Sequence, residues 1–332
     1  MDTILDFGVK IVLFFQGLGS WLKWPMEALS FFGTEEFFIL LAPILYWCID
    51  ANAGLRAGLL LTASGCINSA IKLAFHGPRP YWYSPQVAGM TAEASFGIPS
   101  GHAQNSIVVW GAVAIFVKRT WGWIIVAILA ILIGLSRIFL GVHFPTDVIA
   151  GWFTGMIVLW LALKLEPGIL KWMKGQTPGM RILTAWVASL ILILPGVAAK
   201  LALAGWTIPQ MWIENAAAAI PGSEINPLSL SSLISPAGMF FGMATGAIWL
   251  DLQGGFVTRG VWWNYILRYI IGIAGIILIW SGLGMFFPDG EALLPYLLRY
   301  IRYGLAGLWI SGLAPWLFQR FRLAETQKRT ST

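Results

Sequence analysis

Apolar runs close to the ~20 residues that cross a hydrocarbon core recur along the whole chain. They fall at about residues 35–50, 54–75, 102–118, 121–142, 146–164, 181–203, 236–252, 263–286 and 295–317. In lipid, every backbone polar group must find its partner within the protein, so runs of this length fold as helices. We therefore expect an all-α, polytopic helical membrane protein of about nine transmembrane helices, with ten as the alternative. Composition agrees. The 332 residues are 58% hydrophobic and only 11% charged, against roughly 25% charged in soluble domains.

The undecided segment is 4–22, where Asp6, Lys10 and Gln16 interrupt the apolar pattern. We read it as an amphipathic helix lying in the interface; a tenth span is the other reading. The N-terminus has no basic stretch and no small-residue cleavage site, so no cleaved signal peptide is expected. Five regions follow: an interfacial N-terminal region (1–34), a core bearing all the motifs described below (35–165), a Pro- and Gly-rich cytoplasmic linker (166–180), a second block of about four helices (181–318), and a basic cytoplasmic tail (319–332). Gly242 and Gly246 have the spacing of close helix packing. Cys48 and Cys66 lie in apolar segments and read as unpaired thiols.

Charge sets the expected orientation. Lys118, Arg119, Lys164, Lys171, Lys174, Arg181, Arg259, Arg320, Arg322, Lys328 and Arg329 all fall on one face when the spans alternate. By the positive-inside rule that face is cytoplasmic, the C-terminus included. The net charge of +6 then reflects retained loop cations, and with no basic tract there is no case for nucleic acid. The other face receives the loops 76–101, 142–146, 204–235 and 287–294, whose remaining charges are mostly acidic, Glu93 among them.

That outer face also gathers a chemical set. Lys72 ends one span and Arg79 follows, held between Pro78 and Pro80. Arginine pairs two phosphate oxygens with a planar fork, and lysine adds a point charge. Pro99-Ser100-Gly101-His102 precedes a helix. Ser100 fits an N-cap, Gly101 permits close backbone approach, and the helix start favours an anion. Ser136-Arg137 ends another span, and His143 follows in the turn. Pro145 suits the first turn of the next helix, with Asp147 just inside it. Asp147 can bond one ring nitrogen of His143 and leave the other free to attack. Ionisable groups are costly near lipid, so this concentration points to function. His76 lies within the first run but reads as a loop histidine. No carboxylate cluster suits a metal, and no cofactor is expected.

Taken together, Lys-(six residues)-Arg-Pro, then Pro-Ser-Gly-His, then Ser-Arg-(five residues)-His-(three residues)-Asp resembles the three-part signature of the type 2 phosphatidic acid phosphatase superfamily, whose active-site plan is similar to that of vanadium haloperoxidases. The resemblance covers roughly residues 24–165. It looks closest to the sphingosine-1-phosphate phosphatase-like and bacterial branches, and residues 181–332 carry none of their own. It implies His143 as nucleophile forming a phosphohistidine, Asp147 as its orienting partner, and His102 as the proton donor to the leaving alkoxide. Lys72, Arg79 and Arg137 would clamp the phosphoryl oxygens, assisted by Ser100 and Gly101. The implied activity is metal-independent hydrolysis of a membrane lipid phosphate monoester or diphosphate on the extracytoplasmic face, and we expect a bacterial plasma membrane. Tyr81, Trp82 and Tyr83 suit an interfacial position. A phosphotransferase, a glucose-6-phosphatase-like enzyme, a lipid transporter or flippase and an inactive scaffold stay open. The second block could form a homodimer interface, shape lipid entry or bind a partner, and loop 204–235 could cover the site.

Overall fold

The computed structural model describes residues 2–326; Lys328 and Arg329 of the expected basic tail lie outside the described residues. Among the described residues the regular secondary structure is all helical, joined by loops and with one isolated pairing of Val257 with Glu325. Among the described residues six stretches are long and apolar enough to cross a membrane: Ala51–Tyr83, Thr120–Phe139, Pro145–Lys174, Pro178–Ala202, Ser231–Leu252 and Trp262–Gly282. The N-terminal helices are joined by a bend of 89° and make a seventh if taken as one broken span.

The expected nine or ten spans are therefore not reached on length and composition. Residues 35–50 form only the short helix Glu35–Ile44, which contains Pro43, and then a π-type turn, Leu45–Ile49. Gly101–Val117 has 17 residues. The last apolar run lies in helix that continues from Leu293–Leu308 through a π-type turn, Trp309–Leu313, into Ala314–Arg320, and it is not among the six.

The linker is also corrected. Helix Pro145–Lys174 runs straight through Pro167 and Gly168, leaving a break of only 175–177 before Pro178–Ala202 begins. Arg56 grips Glu166 at 2.8 Å, and Arg181 caps the helix end by donating from Nε to the Met173 carbonyl at 2.8 Å. Apolar Ile169 and Leu170 follow the Pro-Gly pair, and membrane helices tolerate proline where neighbours hold the chain.

Two compact units form. One comprises Met1–Phe37, Ile67–Leu161 and Pro195–Ser229, and the other Phe38–Cys66, Ala162–Leu194 and Leu230–Thr332. The boundaries differ from the contiguous blocks expected from sequence, because 195–229 belongs with the motifs and 38–66 with the C-terminal helices.

In the motif-bearing unit, the polar residues that interrupt segment 4–22 have partners. Asp6 accepts the Tyr83 hydroxyl at 2.9 Å. Gln16 donates to the carbonyls of Ala88 at 2.8 Å and Phe139 at 3.0 Å. Gly151 lets its helix rest on the start of Gly101–Val117: a Cβ there would lie 2.5 Å from the Ser100 carbonyl.

In the other unit, Gly242 and Gly246 do serve close packing. A Cβ on Gly242 would sit 1.9 Å from the Gly304 carbonyl, and one on Gly246 would sit 2.3 Å from Ser311 Oγ. The π-type turn Trp309–Leu313 lies beside them. Its Ile310 carbonyl accepts Trp47 Nε1 at 2.8 Å, and its Ser311 carbonyl accepts the Tyr46 hydroxyl at 2.7 Å. Arg268, fully buried in this unit, donates to the carbonyls of Trp47, Thr258, Arg259 and Leu323.

Candidate functional site

Local chemistry places each side chain. Pro145 opens its helix, and Asp147 sits in the first turn. There its Oδ2 accepts the Phe144 N–H at 2.9 Å, as an acid at the third position of a helix does when it closes back on the cap. The same oxygen lies 3.3 Å from His143 Nδ1. On the other side of the ring, Arg79 Nη1 is 3.3 Å from His143 Nε2. Arginine can only donate, so Nε2 is the acceptor and Nδ1 carries the proton toward Asp147. Burial, and after it the charges of Arg79, Lys72, Arg137 and His102, hold the His143 imidazole well below its ordinary pKa. The ring is therefore neutral, with its lone pair directed at a guanidinium.

Ser100 is the N-cap of Gly101–Val117, its Oγ accepting the Ala103 N–H at 3.4 Å. Its backbone N–H is already spent on the Asp147 carbonyl at 2.9 Å. The first free amides of this helix are consequently those of Gly101 and His102, which bond to nothing among the described residues. Gly101 makes room for Asn68, whose Oδ1 would lie 3.3 Å from an added Cβ.

Three cations converge here, two of them pinned by carbonyls. Lys72 is buried and donates to Phe96 and Gly97. Arg79 is 1% exposed and reaches the carbonyls of Ser95 at 2.6 Å and Val142 at 3.0 Å. Arg137, 2% exposed, donates to Ser30 Oγ at 2.7 Å. Its Nε is buried without a partner among the described residues.

Sequence reasoning missed one central residue. Glu93 bridges two of these cations, with Oε2 3.2 Å from Arg79 Nη2 and Oε1 in a shorter contact with Arg137 Nη2. Burial alone would raise its pKa, but Arg79 and Arg137, with His102 and Lys72 behind them, outweigh burial and pull it down to about 2. A signal was available: Glu93 is the single acid in the loop 76–101. Gly97 was missed too. A Cβ there would lie 2.5 Å from the Pro78 carbonyl and 3.1 Å from Asp147 Oδ2.

All eight residues singled out from sequence thus lie in one unit, together with the electrostatic reach of His102 on both Glu93 and His143. His76 is turned elsewhere, its ring 5.7 Å from that of Trp206. Segment 195–229 rests on the same loops: Trp206 packs 5.7 Å from Phe96, Asn215 donates to the Trp82 carbonyl at 2.9 Å, and the Asn226 N–H to Ala94 at 3.1 Å. Among the described residues no group of three or more His, Cys, Asp and Glu is arranged to hold a metal ion.

Comparison with known proteins gives a concordant picture. A family profile described as the PAP2 superfamily matches residues 53–170. A second, described as the PAP2 superfamily phosphatase transmembrane extension, matches 234–326, where no resemblance had been read from sequence. The chain is 29% identical over 154 residues to phosphatidylglycerophosphatase B of Bacillus subtilis, covering 42% of this chain and 73% of that protein. It is 31% identical over 144 residues to undecaprenyl-diphosphatase of Sulfolobus acidocaldarius, covering 42% of this chain and 69% of that protein. The crystal structure of a transmembrane PAP2-type phosphatidylglycerolphosphate phosphatase from Bacillus subtilis aligns with a TM-score of 0.45 and 26% identity, over 51% of this chain and 89% of that one.

Proposed function

The chain belongs to the PAP2 superfamily of membrane phosphatases, and on that premise we propose that it hydrolyses a lipid phosphate monoester or diphosphate through a phosphohistidine on His143. The observation that carries this reading is the placing of His143 between Asp147 on Nδ1 and Arg79 on Nε2. An anion held by Arg79 would present its phosphorus to the unprotonated nitrogen.

In the first step His143 Nε2 bonds to phosphorus while the bond from phosphorus to the lipid oxygen breaks. His102, charged as an imidazolium once the phosphate dianion is bound, gives its proton to that oxygen. The phosphorylated ring is cationic, and Asp147 stabilises it through Nδ1–H. In the second step His102 takes a proton from water, the water oxygen bonds to phosphorus, and the bond from nitrogen to phosphorus breaks. Inorganic phosphate leaves and His143 is restored. Lys72, Arg79, Arg137 and the amides of Gly101 and His102 neutralise the equatorial oxygens throughout, which is the main demand of phosphoryl transfer. Three fixed cations supply that neutralisation without a metal ion.

The test is phosphate release in detergent micelles with EDTA present. The substrates are phosphatidic acid, phosphatidylglycerophosphate, a polyprenyl diphosphate and a sphingoid-base phosphate. Release from at least one of them is expected. Activity lost in EDTA and restored by Mg²⁺ would overturn metal independence, and a phosphorylated acceptor without free phosphate would make the protein a phosphotransferase.

We place the site on the extracytoplasmic face, on the distribution of loop cations. A cysteine introduced at exposed Gln86 should react with a membrane-impermeant thiol reagent applied from outside intact cells. Labelling only after the cells are opened would reverse the orientation.

A further inference from the structure

Glu93 has no part in the reaction above, yet it holds the groups that the reaction needs. Its two carboxylate oxygens engage Arg79 and Arg137 separately, as two oxygens of a phosphate would. The arginines are 1% and 2% exposed, whereas Glu93 keeps 23% of its side chain accessible. It can therefore be reached, and can leave, from the open side.

The loop behind Glu93 is fixed. Gln16 holds Ala88, the Leu140 carbonyl accepts the Met90 N–H at 3.1 Å, Asn226 holds Ala94 and Lys72 holds Phe96. Release of Glu93 is then a rotation of one side chain and needs no opening of the loop. The unpartnered Nε of Arg137 marks donor capacity that one carboxylate does not fill.

We propose that Glu93 is a resident anion on the phosphate clamp, that substrate displaces it, and that this displacement excludes singly charged phosphodiester headgroups. The proposal rests on the phosphatase reading. Its physical basis is a constant offset. Freeing Arg79 and Arg137 from Glu93 costs the same whichever anion arrives. A terminal phosphate with two charges gains enough from Lys72, Arg79 and Arg137 to meet that cost. A phosphodiester with one charge exchanges one monoanion for another and gains little. Most membrane lipids carry phosphodiesters, so a bare cluster of three cations at a headgroup layer would stay occupied by them. Specificity set by a penalty on wrong partners is a general device.

The experiment compares inhibition of lipid phosphate hydrolysis by methyl phosphate and by dimethyl phosphate, in the full-length protein. For Glu93→Gln the inhibition constants of both should fall at least ~10-fold, about 1.4 kcal/mol, and by similar factors. Dimethyl phosphate, a poor inhibitor of the wild type, should become an effective one. KM for the lipid should fall by more than kcat changes. Glu93→Asp, which keeps the charge, should retain weak inhibition by dimethyl phosphate.

Unchanged constants in Glu93→Gln would overturn the proposal. So would tightening for methyl phosphate alone, which means that Glu93 stays and repels. Weaker binding in both variants would make Glu93 a structural support. If Glu93→Gln does not fold, difference infrared spectroscopy on the wild type decides: methyl phosphate should shift a carboxylate stretch, and no shift overturns displacement. Failure of the wild type to hydrolyse any lipid or to bind methyl phosphate would instead defeat the phosphatase reading itself.

Discussion

Replacing His143 with alanine is expected to lower kcat by at least ~10⁴-fold, about 5.4 kcal/mol of transition-state stabilisation, while the protein stays folded. On the proposed mechanism the chemical loss is complete, because Nε2 would be the atom that bonds to phosphorus and alanine offers no substitute. The structural loss is small. Asp147 keeps the Phe144 N–H at 2.9 Å, and Arg79 keeps the carbonyls of Ser95 and Val142. No buried charge is left without a partner, which is the usual source of large destabilisation. Phosphate release and a thermal unfolding midpoint, measured on the same preparation, check both halves. Turnover within tenfold of the wild type would remove His143 as the nucleophile. Transport of a lipid that continued unchanged in this variant would favour the transporter reading.

Arg268→Met is expected to cost at least ~3 kcal/mol of stability, from a residue remote in sequence from every motif. Methionine matches much of the volume and supplies none of the donors. The carbonyls of Trp47, Thr258, Arg259 and Leu323 would then lose their donor, the first in a buried position and the other three in partly buried ones. Each buried carbonyl left without a donor costs about 1–3 kcal/mol. Lysine should not rescue the variant, because one ammonium cannot reach four acceptors in a planar fork. The measurement is the unfolding midpoint in detergent for wild type, Arg268→Met and Arg268→Lys. A midpoint unchanged in Arg268→Met would show that these carbonyls find other donors.

The two residues differ in how far the sequence could expose them. His143 stands four residues before Asp147, and that spacing across a helix start is a local pattern with a local geometric result. The same holds for Ser100 as a cap and Pro145 as a first-turn residue. Arg268 offers no such pattern, since its acceptors come from positions 47, 258, 259 and 323. Glu93 is intermediate. It is the single acid in the loop 76–101, which suggests an ion pair with a nearby cation, but its bridging of Arg79 and Arg137 depends on a loop and a helix end 44 positions apart.

The sequence by itself determined the membrane class, the helical secondary structure and the local geometry within each of the three motif runs, because apolar run length, capping and short spacing act within a few turns of chain. The tertiary structure alone decided that 195–229 belongs with the motif unit, that the helix continues through Pro167, and that the Glu93 carboxylate bridges Arg79 and Arg137. Each of these rests on contacts between residues far apart in the chain, and such contacts leave no periodic trace along it.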